Sequence, residues 1–129
     1  MYVSIEDQIK MAVTLCEDEN ATVAVMCNQA QTRYAIKFFP NSGKLNLTNC
    51  NWVAPNGSRV SLYSTESGRL AYYLGGCVFT HVIVNESVKY THHDISYLRS
   101  RLRSTKYKGD MMMFLPKDAL PAAQPRGGV

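Results

Sequence analysis

The sequence predicts an α+β domain: an antiparallel meander sheet of about five or six strands, packed by an N-terminal helix and a basic C-terminal helix. Three observations carry that expectation. Apolar residues recur at helical spacing near both ends of residues 1–115, short runs of period two lie between them, and compact turn signals separate those runs. At 129 residues, 46% hydrophobic and 19% charged, the chain has the size and composition of one domain able to bury a core without disulfides or metal.

Ser4 reads as the N-cap of the first helix, with Asp7 in the capping-box position three residues on. Ile5, Ile9, Ala12, Val13 and Cys16 then form one apolar stripe, and Glu17-Asp18-Glu19-Asn20 stops it. From Thr22 to Cys27 the pattern is a mostly buried strand. Asn28-Gln29-Ala30-Gln31 reads as a turn, and Arg33 to Phe39 as a second strand with Tyr34, Ile36 and Phe38 on one face. Pro40-Asn41-Ser42-Gly43 is a turn signal, Lys44 to Thr48 a third strand with Leu45 and Leu47 inward. Pro55-Asn56-Gly57-Ser58 turns the chain into a fourth strand, Arg59 to Tyr63. The stretch Ser64 to Gly76 fits a short helix over Arg69 to Leu74, closed by Gly75, or a strand.

Cys77 to Val84 is the most hydrophobic strand, expected to be central, with Cys77, Phe79, His81 and Ile83 facing one way. Thr91 reads as the N-cap of the second long helix, Asp94 again in the capping-box position, with Ile95, Leu98 and Leu102 inward. Met111 to Leu115 reads as a last strand or an extended packing segment. Residues 116–129, with Pro116, Pro121, Pro125 and Gly127-Gly128, have the composition of a flexible tail.

The longest uncharged apolar run, near Cys77 to Val84, is too short to span a bilayer, and the acidic start is unlike a signal peptide. A cytoplasmic, membrane-free protein is therefore expected. Cys16, Cys27, Cys50 and Cys77 lack the close spacing of a zinc site or redox pair, so reduced thiols are expected. The Asn-x-Ser/Thr triplets at Asn20, Asn46, Asn56 and Asn85 read as turn chemistry.

The net charge of +4 is mild, but Arg99, Arg101, Arg103, Lys106 and Lys108 place five of the fourteen basic residues in ten positions. Helical geometry puts Arg99, Arg103 and Lys106 on nearly one face, where guanidinium groups one turn apart suit a phosphate. Tyr63, Tyr72, Tyr73, Phe79, Tyr90, Tyr97 and Tyr107 share that half of the chain, and aromatic faces beside arginines suit a nucleobase. His92 and His93 are adjacent, so on a helix they point about 100° apart and suit no common metal ion. Thr91 and His92 instead open a helix whose donors suit an anion. No P-loop, nucleophile motif or set of paired acids is present, which points away from catalysis and from any cofactor.

This order of features resembles the phage Thoeris anti-defence proteins, which sequester cyclic ADP-ribose isomers. The likeness covers most of residues 1–115: a helix-plus-meander start, arginines on early strands, an aromatic on the central strand and a basic helical second half. It implies a homo-oligomer that holds a small cyclic nucleotide or ADP-ribose-type ligand in an infected bacterial host. Phe79 would stack the base, Arg33 and Arg59 would pair the phosphates, Leu70 and Ala71 would form an apolar wall, and Thr91 and His92 would meet the sugar. A nucleic-acid-binding module and a protein inhibitor of a host or defence enzyme fit the same basic, aromatic surface.

Overall fold

The structure, a computed structural model, describes residues 4–18, 20–64, 68–85 and 87–102, and the backbone of 110–113. The tail from Pro116, together with Arg103 and Lys106, lies outside the described residues. Helix α1 (Ile5–Asp18) starts as its sequence dictates. The Ser4 hydroxyl accepts the Asp7 amide at 3.2 Å, and Ile5, Ile9, Ala12, Val13 and Cys16 are all buried. Each such side chain contributes roughly 1.5–3 kcal/mol if it is a full-sized aliphatic, so this stripe alone pins the helix to the sheet.

The elements that follow are β1 (Thr22–Met26), α2 (Gln29–Ala35), β2 (Lys44–Asn46), β3 (Asn51–Val53), β4 (Arg59–Tyr63), α3 (Leu70–Leu74), β5 (His81–Val84), α4 (His92–Ser100) and β6 (Asp110–Met113). The mixture of helix and sheet is as expected, but the sheet is mixed, not an antiparallel meander. Its order is β2-β3-β4-β1-β5-β6. Strands β4, β1, β5 and β6 run parallel, and only β2-β3 and β3-β4 pair antiparallel.

The physical reason lies in two-sided burial. Val23 and Val25 of β1 enter the layer under α1, while Ala24 and Met26 enter the layer under α3 and α4. All four residues of β5 are buried. A strand covered on both faces reads as a continuous apolar run, which is the signature of a parallel strand between helical layers.

The expected strand over Arg33 to Phe39 is instead α2 followed by a 3-10 turn, Ile36–Phe38. Asn28 caps α2: its side-chain oxygen accepts the Gln31 amide at 2.8 Å, satisfying one of the helix's free donors. Ala35 then joins α1's layer. Leu45 and Leu47 point outward, not inward, because β2 is an edge strand with every residue exposed. Strand β3, absent from the sequence reading, is built around Trp52. Its indole is 1% exposed, donates to the Pro40 carbonyl at 3.0 Å and stacks on Phe39 at 5.7 Å. Gly43 packs so closely there that a Cβ would meet the Val53 carbonyl and the indole.

Of the two readings for Ser64 to Gly76, the helix forms, with Gly75 at φ 53 after it. Strand β5 begins only at His81. Thr80 interrupts the alternation, its hydroxyl accepting the Thr22 amide at 2.9 Å, so Phe79 and Ile83 fall in opposite layers. Helix α4 ends at Ser100. Among the described residues no helix is long and apolar enough to cross a membrane.

Candidate functional site at the carboxyl edge of the sheet

The parallel strands share one carboxyl edge, where Met26, Tyr63 and Val84 lie in register. The chain leaves β1 toward α1's layer through α2, but leaves β4 and β5 toward the opposite layer through α3 and α4. Connections that diverge to opposite faces open a crevice outside the carboxyl ends, which is where open sheets of parallel strands hold ligands.

Between β1 and β5 the crevice is closed by the protein itself. The Asn28 amide donates to the Ser87 hydroxyl at 2.9 Å, and the Asn85 amide to the Met26 carbonyl at 2.8 Å. Beneath them the buried Asn85 side chain donates to Gln8 of α1 at 2.8 Å. Over β4 the edge stays open as a groove of about 580 Å³, within the ~300–1,000 Å³ of small-molecule sites. Asn49, Cys50, Tyr63, Ser64, Arg69 and Tyr73 line it.

Each wall has a local cause. Leu62 donates its amide to the Cys50 carbonyl at 2.9 Å, which folds the β2–β3 turn against β4, with Cys50 at φ 53. Tyr63 ends β4 and packs edge-on against Phe79 at 5.9 Å. Burial, and after it the nearby Cys77 thiol, pushes the Tyr63 phenol above its ordinary 10.0, so at neutral pH it is a hydroxyl able to donate and accept. Arg69 precedes α3, its guanidinium carbon 5.4 Å from the ring centroids of both Tyr72 and Tyr73. The two rings meet at 90° with centroids 5.0 Å apart. Such a cation–π cradle, on the order of 0.5–1 kcal/mol per exposed contact, holds the guanidinium in place without consuming its N–H donors.

The approach to Arg69 is fixed from α4. Asp94, buried, accepts the Gly68 amide at 3.0 Å with one oxygen and the Thr91 amide at 2.9 Å with the other. The expected cap of α4 is present in full: the Thr91 hydroxyl accepts the Asp94 amide at 3.2 Å. Thr91 therefore spends its side chain on the helix.

The residues expected to form one ligand site are spread over the molecule. Thr91 and His92 lie at the start of α4. Arg59 opens β4 at the opposite, amino edge of the sheet, opposite Thr22. Arg99 is in the last turn of α4, and Phe79, 3% exposed, bridges to Leu102. Arg33 is exposed on α2, in the other helical layer. Leu70 is core and Ala71 is exposed beside it. Arg69 was missed as a site residue, while Tyr63, Tyr72 and Tyr73 were noted only as aromatics. The available signal was Arg69 followed by tyrosines three and four positions on, the spacing that puts side chains together on a helix.

Two thiols, Cys16 and Cys27, are pushed by burial to about 11, and all four cysteines are free. Among the described residues no His, Cys, Asp and Glu side chains group to hold a metal ion. Comparison with protein-family models, curated proteins and solved structures finds no match.

Proposed function

We propose that this chain is a non-enzymatic binding protein that captures a nucleotide-type ligand in the groove over β4. In the phage setting suggested by its resemblance, the ligand is a cyclic nucleotide or cyclic ADP-ribose-type immune signal, and capture is sequestration. The observation that carries the reading is the Arg69 guanidinium, positioned by Tyr72 and Tyr73 beside an open groove at the carboxyl edge.

The chemistry follows from those groups. A guanidinium offers paired N–H donors that match two phosphate oxygens, and such charge-assisted bonds are about twice as strong as neutral ones. The Tyr73 ring offers a face for a base, and the Tyr63 and Ser64 hydroxyls and the Asn49 amide offer polar contacts to a sugar. A sponge needs retention without turnover, and these groups bind phosphate and base without a nucleophile among them poised for attack.

The test is retention. Purified protein is incubated with a panel of cyclic nucleotides and ADP-ribose isomers, filtered free and heat-denatured, and the supernatant is read by mass spectrometry. Intact ligand released only on denaturation, and lost in Arg69→Ala, supports the proposal. A converted product identifies an enzyme instead, and retention of no panel member by the wild-type chain overturns the reading.

A further inference from the structure

We propose that the ligand class is a two-base nucleotide: two planar bases joined through phosphate, one base inside the groove on Tyr73 and the second outside it on Tyr72. This inference rests on the nucleotide reading of the same groove. Tyr73 lines the groove and Tyr72 does not, yet both rings approach one guanidinium equally, at 5.4 Å. The rings stand at 90°, so no single flat ligand can stack on both. Two separate bases can, and the phosphate that joins them then falls beside Arg69, between the two stacks.

The exposure of Tyr72 is the second argument. Helix α3 needs only Leu70 and Leu74 for the core, and both are nearly fully buried. Tyr72 nonetheless stands 77% exposed and Tyr73 54% exposed, next to an exposed Ala71. Large rings left in water on a short helix do not contribute to folding, whereas an aromatic held upright beside an arginine is a stacking platform for bases. Stacking on ring faces is tolerant of base identity, so the two rings distinguish ligands by the number of bases.

The shared chemistry, two bases bridged by phosphate, occurs both in a free dinucleotide and in a stretch of single-stranded nucleic acid. One titration series separates these. Wild-type, Tyr72→Ala, Tyr72→Phe and Arg69→Ala proteins are titrated with AMP, linear ApA, cyclic di-AMP and a short single-stranded oligonucleotide, at low and moderate salt. Wild-type protein should bind a dinucleotide at least about tenfold tighter than AMP, the scale of one added base–aromatic stack. Tyr72→Ala should erase that advantage without changing AMP binding, Tyr72→Phe should keep it, and Arg69→Ala should weaken every ligand. A dinucleotide that binds as well as the oligonucleotide, with a shallow salt response, identifies a free dinucleotide as the source. An oligonucleotide that binds more tightly and weakens steeply with salt identifies the single strand. Equal affinity for AMP and dinucleotide in both wild type and Tyr72→Ala overturns the two-base inference and leaves the nucleotide reading standing. No binding of any of the four ligands also overturns the two-base inference, and retention of an ADP-ribose isomer by the same protein then decides whether the nucleotide reading stands.

Discussion

On one face of the sheet, α1 lays down fourteen residues whose buried side chains are Ile5, Ile9, Ala12, Val13 and Cys16 with one polar residue, Gln8, among them, and Trp52 is sealed in the same layer. On the other face, α3 has five residues and anchors itself with Leu70 and Leu74, leaving two tyrosines in solvent beside an open groove. The first layer also carries polar groups as closed pairs, such as Gln8 with Asn85, whereas the second presents a guanidinium set against two ring faces. The contrast separates two tasks: α1's layer supplies stability, and α3's layer trades burial for a surface that can meet a ligand.

The largest effect expected from that contrast is at Trp52. Trp52→Ala should destabilise the fold by roughly 3–5 kcal/mol, the range for emptying a buried aromatic site, and it also strands the Pro40 carbonyl. Urea unfolding monitored by circular dichroism measures this. A loss below about 1 kcal/mol would mean that the hairpin layer is not part of the cooperative core.

The same layer should set the alkaline limit of stability. Burial raises the Cys27 thiol from 9.0 to about 11, and Cys16 likewise. In the unfolded chain these thiols ionise first, so the folded state holds the proton more tightly and stability is fully present below about pH 9. It is then lost as pH rises toward about 11, by at most ~1.4 kcal/mol per pH unit for each thiol. Urea midpoints at about pH 8 and about pH 10.5 read the slope, and Cys27→Ala should flatten it. An unchanged slope in that variant would assign the alkaline loss to other groups.

A smaller effect is expected where the two helices of the second layer join. Thr91→Ala removes the cap of α4 and should cost about 0.5–2 kcal/mol. Because the Thr91 hydroxyl also donates to the Asp94 carboxylate that accepts the Gly68 amide, the substitution should also loosen the approach to Arg69. Amide hydrogen exchange should rise at Gly68 and along the first turn of α4, with α1 unaffected. Matching increases across α1 would show that the layers are not separable.

Much of this was legible in the sequence where one local rule decided the outcome. The caps of α1 and α4 were fixed by the Ser4 and Thr91 hydroxyls, each of which accepts the amide three residues on. The triplet asparagines behave as turn formers: Asn56 and Asn85 each accept the amide two residues on, at 2.9 and 2.8 Å. Strand β4 runs over Arg59–Tyr63 as expected. What was hidden depended on partners distant in the chain. Thr22 to Cys27 was legible as a mostly buried strand, but its parallel pairing to β4 and β5 was not. Tyr34, Ile36 and Phe38 mimicked a strand's period, and the capping oxygen of Asn28 decided for a helix. The candidate site residues do not come together within one chain: Arg33 lies on α2, Arg59 at the amino edge of β4, Phe79 in the layer of α3 and α4, and Arg99 in the last turn of α4.

The smallest change in stability should come from Arg69, and it gives the sharpest use of the comparison between layers. Arg69→Gln removes two cation–π contacts at an exposed position, each worth about 0.5–1 kcal/mol at most in such a setting. Helix α3 keeps Leu70 and Leu74 in the core, and the Gly68 amide keeps its bond to Asp94, since neither depends on the guanidinium. The expected shift in unfolding free energy is therefore under ~1 kcal/mol, against several for Trp52→Ala. Freed from Arg69, the Tyr72 and Tyr73 rings should gain mobility, which tyrosine ring resonances in NMR spectra would register as line narrowing and fewer contacts between them. If Arg69→Gln instead destabilised the chain by more than about 2 kcal/mol, the guanidinium would be a structural tie between helix and groove. The division between a stabilising layer and a binding layer would then fail at the residue on which it most depends.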